Sequence, residues 1–146
     1  VLGMGICDYT NVANNVPINA KIIGTHEHES YYVYDLLKNN KTDVKPEIHS
    51  TDTDGTNRIN FAILDFFGYQ FAPRYASITS KAKMLYTFET SSSYSDNYLL
   101  KSKGKIDLKL IEEEWENIQR IIVSLALKTT TQSTIIKKLS SYNFSL

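Results

Sequence analysis

The fold is decided around the stretch His49-Ser50-Thr51-Asp52-Thr53-Asp54-Gly55, which ends a short extended segment and opens onto a helix. In a mostly parallel or mixed α/β sheet, the ends of the strands present catalytic and metal-binding groups to solvent. A carboxylate held there is a rigid, hard oxygen ligand that suits Mg²⁺ in phosphoryl transfer. Asp52 is therefore the leading candidate for catalysis and metal binding. The alternative is an Asx turn, in which Asp and Gly only form the bend.

The residues before this stretch predict a β-hairpin followed by a helix. Apolar residues alternate with polar ones on both sides of a polar turn at residues 11–17, which is typical of two paired strands. A helical spacing then follows Ser30, which we interpret as the N-cap, and residues 39–41 end that helix. The alternating positions are Leu2, Met4, Ile6, Ile18, Ala20 and Ile22, and the helical positions are Tyr32, Val33, Leu36 and Leu37.

The residues after the stretch predict a second helix and a further strand. Apolar residues within 59–67 recur at the spacing of one helix face. Thr56 is interpreted as the N-cap of this helix and Gly68 as its C-terminal stop. Extended alternation resumes at residues 69–71. With a short strand at residues 47–51, the order is β-β-α-β-α-β, which predicts an α/β fold.

The remainder of the chain has a different composition. Residues 77–105 are rich in Ser, Thr, Lys and Tyr with little periodicity, which predicts a long polar and basic connection. Asp107 then caps one strong amphipathic helix that reaches Leu125, and a short helix follows around residues 135–139. We therefore predict three parts: a core at residues 1–76, the connection at 77–105 and a mainly helical segment at 106–146.

Charge is unevenly distributed although the formal net charge is zero. Residues 1–73 carry five Lys or Arg and nine Asp or Glu, whereas residues 74–110 carry seven basic and three acidic residues. An acidic segment suited to cations thus precedes a basic one suited to phosphates. The plainer interpretation is that these lysines are ordinary surface residues.

Length and composition favour a single soluble domain. At 146 residues the chain is long enough to bury a core, and it has no run of about 18 apolar residues that would span a bilayer. It begins at Val1 rather than Met, shows no signal peptide and has one cysteine, Cys7, without a disulfide partner. These features predict a cytoplasmic protein and suggest a fragment of a longer one.

Two other groups of residues are weaker candidates for a metal site. His26 and His28 alternate in the chain and, with His49 and Asp52, offer the ligands of a metal hydrolase. Exposed His and Glu are also common where a strand gives way to a helix. Residues 112–114, all Glu, offer further carboxylates, although acidic residues favour the first turns of any helix because they complement its dipole.

Five segments, in order and at similar spacing across nearly all of the chain, resemble the transposases of replicative class II transposons, the Tn-three family. Five collinear matches are far more specific than any one of them. The segments are Tyr32-Val33-Tyr34-Asp35-Leu36-Leu37, Thr51-Asp52-Thr53-Asp54-Gly55, Phe67-Gly68-Tyr69-Gln70-Phe71-Ala72-Pro73-Arg74, Ile106-Asp107-Leu108-Lys109-Leu110-Ile111 with Trp115, and Lys137-Lys138-Leu139-Ser140-Ser141-Tyr142.

The resemblance implies an RNase H-like DDE domain, in which two Asp and one Glu hold two Mg²⁺ ions. One ion activates water to nick the transposon end, and the freed 3′-hydroxyl then attacks target DNA. Asp52 falls on the second Asp of that triad, whereas Asp54 stands where the family commonly has a small residue. The resemblance also implies a bacterial, nucleoid-associated enzyme whose intact form self-associates on DNA.

The departures from the family pattern predict a partial core, with the first strand missing, and a truncated helical insertion. The first catalytic Asp would lie before Val1 and the catalytic Glu beyond the last residue, and neither Asp8 nor residues 112–114 replace them. Because Mg²⁺ keeps its waters unless several oxygens converge, we expect no DNA nicking or joining by this chain alone. The alternative is a DNA-binding or interaction module in which phosphates contact Arg74, Lys81, Lys83, Lys101, Lys103, Lys105 and Lys109.

Overall fold

The computed structural model of the chain describes residues 5–89 and 102–141. Contacts within the chain define two compact units: the first is Val1–Arg74 with Ile122–Leu146, and the second is Tyr75–Ile121. Helices and three small two-stranded sheets are mixed along the described residues. The predicted α/β class is therefore confirmed.

The first unit begins with the predicted hairpin. Strand β1 (Ile6–Ala13) pairs antiparallel with strand β2 (Val16–Gly24). The two residues between them, Asn14 and Asn15, have φ of 50° and 65°. A two-residue hairpin loop requires this left-handed conformation, and Asn tolerates it better than most residues. The polar turn read from the sequence is thus a tight two-residue loop.

Helix α1 (Val33–Lys38) follows the hairpin after a 3₁₀ turn at Glu29–Tyr31. The prediction of Ser30 as its N-cap is wrong, because Ser30 lies inside the 3₁₀ turn and the residue before the helix is Tyr32. The Ser30 hydroxyl instead makes a 3.0 Å hydrogen bond with Nδ1 of His28. A local partner therefore takes the oxygen that a cap would need.

A parallel strand pair with a helix between its strands carries the stretch around Asp52. Strand β3 (Ile48–His49) and strand β4 (Gln70–Phe71) pair in parallel, and helix α2 (Arg58–Phe66) connects them. The N-cap is Asn57, whose Oδ1 accepts from the amide of Ile59 at 2.9 Å, so the prediction of Thr56 is wrong. Just after the helix, the predicted stop Gly68 has φ +78°, which favours glycine.

The second unit contains short elements and the start of a long helical region. The predicted cap Asp107 is confirmed, because its Oδ1 accepts from the amide of Leu110 at 3.1 Å. The prediction of one continuous helix is wrong, since Glu114 (φ −94°, ψ 6°) interrupts it and its carboxylate accepts a hydrogen bond from Asn117. In order, the elements are helix α3 (Ile78–Ala82), strands β5 (Tyr86–Thr87) and β6 (Gly104–Lys105), helix α4 (Leu108–Glu113) and the first part of helix α5 (Trp115–Ala126), whose residues from Ile122 on belong to the first unit.

Helix α6 (Gln132–Ser141) returns to the first unit and packs on α1 and the 3₁₀ turn. Its Ile136 is fully buried, as are Val33 of α1 and Leu64 of α2. Burial of apolar area at this helix junction is the main source of its stability. The described helices include none with the length and apolar character needed to cross a membrane.

Candidate functional site

Asp52 lies one residue beyond the end of a backbone ladder. Three amide-to-carbonyl hydrogen bonds tie the chain around β3 to the chain around β4 and continue past both strands. The sheet therefore fixes the backbone up to the residue before Asp52, as the prediction of a strand-end carboxylate requires. The bonds run from the amides of Gln70, Ala72 and Arg74 to the carbonyls of Glu47, His49 and Thr51, at 2.8, 2.9 and 2.7 Å.

The carboxylate of Asp52 also shapes the turn that follows. Its Oδ1 accepts from the amides of Asp54 at 3.1 Å and Gly55 at 3.2 Å. This is the Asx turn offered by the plainer interpretation, so Asp52 has this structural role in addition to any chemical one. A Cβ on Gly55 would lie 2.6 Å from Cβ of Thr51, and the close approach of the Thr51 side chain to the Gly55 backbone explains glycine at this position.

An open cavity of about 890 Å³ adjoins this turn. It is lined by Asp52 and Arg74, by residues 44–51, and by residues 8–14 along strand β1. Strands β1 and β3 each have one partner strand among the described residues, β2 and β4 respectively. Each strand therefore has a second edge free of any described strand, and residues of both strands line the same cavity.

Two residues that line this cavity each carry a buried polar atom that has no hydrogen-bond partner in the described structure. The atoms are Nδ2 of Asn11 and Nε2 of His49. Burial lowers the pKa of His49 to about 4, so the imidazole is neutral near pH 7. Its ring stacks on Phe71, with centroids 6.1 Å apart. Since buried polar groups are rarely left unpaired, both atoms indicate a place where a polar group is expected.

Tyr9 and Glu29 also line the cavity, and the sequence did not single them out. Burial, together with the negative charges of Glu29 and Asp52, raises the pKa of the Tyr9 phenol to about 12. The two carboxylates are therefore close enough to act on one phenol. Glu29 lies in a 3₁₀ turn 23 positions before Asp52, and no local sequence signal links such distant residues.

The histidines and glutamates proposed as alternative ligands are not brought together. Of the residues that the structure describes, no three His, Cys, Asp or Glu side chains are placed to hold one metal ion. His28 bonds with Ser30 and stacks on Tyr31, whereas His49 is buried beside Phe71. At residues 112–114, Glu113 pairs with Lys109 at 3.5 Å. The metal hydrolase therefore has no assembled ligand set in this part of the chain.

The basic residues proposed for DNA binding fall in both units. Arg74 is exposed at the rim of the cavity in the first unit. In the second unit, Lys81 and Lys103 lie over the rings of Tyr75 and Tyr86, each 5.9 Å from the centroid. All five lysines that the structure describes there are exposed: Lys81, Lys83, Lys103, Lys105 and Lys109. Lys101 lies outside the described residues.

Comparison with known proteins gives the family. Residues 2–145 match the model of the Tn3 transposase DDE domain, and the chain belongs to this family. The resemblance found from five sequence segments is thereby confirmed. No solved structure gives a significant match to the chain.

Several curated relatives are transposases of bacterial transposons. The chain is 29% identical over 135 residues to the transposase of transposon Tn3926 from Escherichia coli, which is 92% of the chain and 13% of that protein. It is 32% identical over 123 residues to the transposase of Tn1546 from Enterococcus faecium, and this match covers 84% of the chain and 12% of that protein. The chain is also 32% identical over 139 residues to the transposase of Tn2501 from Escherichia coli, and the match covers 94% of the chain and 14% of that protein. The chain thus spans about an eighth of these relatives.

Proposed function

We propose that the chain is part of the catalytic core of a DDE transposase and that Asp52 is one of the carboxylates that hold Mg²⁺. The observation that supports this most is the position of Asp52, one residue beyond the β3–β4 ladder and at the cavity. Its Oδ1 accepts two amides of the turn, so Oδ2 is the oxygen assigned to the metal. Bound Mg²⁺ would activate the attacking oxygen and stabilise the leaving one in DNA nicking and strand transfer.

We further propose that the cavity receives a β-strand from elsewhere in the transposase. A strand inserted there would pair with the second edges of β1 and β3 and join two small sheets into one, as an RNase H-like core requires. The chain spans 12–14% of its relatives' length, which leaves ample sequence to provide such a strand.

Without the rest of the core, we expect the chain to bind metal weakly and not to cut DNA. Mg²⁺ needs several converging oxygen ligands, and Asp52 offers one carboxylate. The nearby Glu29 influences the same phenol but forms no three-ligand group with Asp52 among the described residues. Incubation of the chain with transposon-end DNA and Mg²⁺ should leave the DNA intact.

The test of the metal assignment uses Mn²⁺ as a paramagnetic probe in NMR spectra of the ¹⁵N-labelled chain. Mn²⁺ should broaden the amide signals of residues 52–55 first, with an apparent Kd on the order of millimolar because few ligands converge. Asp52→Asn should abolish this broadening. Asp54→Asn is the matched control and should preserve it. Equal broadening in the Asp52 variant would refute the assignment.

A second candidate function, residual DNA binding, is favoured by the exposed lysines of the second unit. Phosphate contacts release counterions, so affinity falls as the salt concentration rises. Each lysine that contacts DNA makes the slope of log K against log salt more negative by about 0.9. Lys83→Gln and Lys105→Gln should each make that slope less steep, whereas the control Lys41→Gln should not, because Lys41 is an exposed lysine outside the proposed basic set. Affinity that does not change with salt would exclude phosphate binding by these residues.

A further inference from the structure

The Asp52 turn is held from α2 as well as from the sheet. Asn60 of α2 is fully buried, and its Nδ2 donates to the carbonyl of Gly55 at 3.4 Å and to that of Ser30 at 3.0 Å. Gly55 in turn donates its amide to Oδ1 of Asp52. Both backbone groups of Gly55 are thus engaged, one by the Asp52 carboxylate and one by the Asn60 amide.

A residue far along the chain fixes the orientation of the Asn60 amide. Gln132, the first residue of α6, is fully buried, and its Nε2 donates to Oδ1 of Asn60 and, at 3.4 Å, to the carbonyl of Ser30. Its Oε1 accepts from the amide of Tyr34 at 2.6 Å. Since a backbone N–H only donates, Oε1 must face Tyr34 and Nε2 must face Asn60. Each side-chain amide therefore has one orientation that satisfies every partner.

Asp35 of α1 holds Gln132 in this place. Its two carboxylate oxygens accept the amides of Gln132 and Ser133, at 2.9 and 3.3 Å. These are the first N–H groups of α6, which have no partner inside the helix and lie at the positive end of its dipole. The start of α6 is thus fixed on α1, and the hydrogen-bond path runs from Asp35 through Gln132, Asn60 and Gly55 to Asp52.

We propose that Gln132 and Asn60 are positioning residues for the Asp52 carboxylate and act on it through their side-chain hydrogen bonds. The metal role of Asp52 rests on the proposed function; the hydrogen-bond path does not. The alternative is a purely structural role, in which the buried network stabilises the packing of α1, α2 and α6 and has no particular effect on Asp52. If Gln132 positions the turn, its replacement should loosen residues 52–55 more than another substitution in α6 that lowers stability equally. If its role is only structural, the two substitutions should have the same effect on residues 52–55.

Gln132→Met removes the hydrogen bonds of the side chain at nearly constant volume. Ile136→Ala is the matched control, because Ile136 is also a fully buried residue of α6 but has no polar link to the turn. Hydrogen exchange of the Asp54 and Gly55 amides, which bond to Asp52, reports the turn directly. In Gln132→Met these two amides should exchange about tenfold faster or more, whereas Ile136→Ala should change them less than about twofold at an equal or larger decrease in Tm.

Asn60→Ala provides a second variant if Gln132→Met does not fold. Alanine has no side-chain amide to donate to Gly55, so it should release the turn, while Asp35 still holds the start of α6. The proposal is overturned if Ile136→Ala accelerates the two amides as much as Gln132→Met, or if Asn60→Ala leaves them unchanged. Mn²⁺ broadening tests the metal role of Asp52 separately from the positioning role of Gln132 and Asn60. Absence of broadening in the unsubstituted chain would refute the metal role, and the hydrogen-exchange data would still decide the positioning role.

Discussion

At the scale of single residues, His49 has the clearest consequence for stability. Burial lowers its pKa from 6.5 to about 4, so the folded state binds the proton less tightly than the unfolded chain does. The stabilisation from the neutral ring is complete above pH 6.5 and is lost as pH falls toward 4. This shift corresponds to about 3 kcal/mol, since each pKa unit is worth about 1.4 kcal/mol.

Replacement of His49 by Phe tests this linkage. Phe retains a ring to stack on Phe71 but does not titrate. Between pH 7 and 4 the unsubstituted chain should lose about 3 kcal/mol of unfolding free energy relative to the His49→Phe variant, measured by urea denaturation. His26→Gln, which removes an exposed imidazole, should behave as the unsubstituted chain. Parallel pH profiles for His49→Phe and the unsubstituted chain would show that His49 is not the titrating group.

At the scale of elements, an ion pair fastens α6 to the segment after β2. Lys137 of α6 donates to Glu27 and, at 3.3 Å, to the hydroxyl of Tyr32. Hydrogen bonds from Lys137 and Tyr32 lower the pKa of Glu27 to about 2. The charged pair therefore stabilises the fold above the ordinary pKa of Glu27, about 4.5, and this contribution is lost as pH falls toward 2. Solvent screens the pair because both side chains remain partly exposed.

Lys137→Met should lower Tm at pH 7, and the difference from the unsubstituted chain should shrink as pH falls from 4.5 to 2. Lys138→Met, on the exposed side of the same helix, is the control and should have little effect at any pH. Thermal unfolding followed by circular dichroism measures both. A Tm difference that stays constant down to pH 2 would rule out Glu27 as the titrating partner.

Elements with strong local signals are predictable from the sequence, whereas only some of their caps are. The hairpin, Asp107 and Gly68 depend on neighbouring residues and were found. Ser30 and Thr56 were misassigned because their hydroxyls bond to other local groups, His28 and the carbonyl of Asp52 respectively. Hydroxyl side chains compete among several local partners, and the composition of a segment does not reveal which one wins.

At the scale of the whole molecule, the contacts that hold the candidate site join residues far apart in sequence. Asp35 and Gln132 are 97 positions apart, and Asn60 and Gln132 are 72. The position of Asp52 at the end of a strand is predictable from a local sequence pattern. The buried hydrogen bonds that join Asp35, Asn60 and Gln132 depend on how distant elements pack, which no local periodicity encodes. The predicted boundaries at residues 76 and 105 remain predictions, as does the strand that would fill the cavity.

The most direct measurement of the central claim is DNA nicking by a grafted transposase. The segment of the Tn2501 transposase that this chain matches, 139 aligned residues, would be replaced by the chain, and nicking of transposon-end DNA with Mg²⁺ would be measured for three forms of the graft. We expect Asp52→Asn to reduce nicking by at least about a thousandfold, since removal of a catalytic group costs about 10⁴–10⁶ in rate in well-studied enzymes, and Asp54→Asn to preserve nicking. Equal nicking by the Asp52→Asn graft and the unsubstituted graft would contradict the assignment of Asp52 as a catalytic carboxylate.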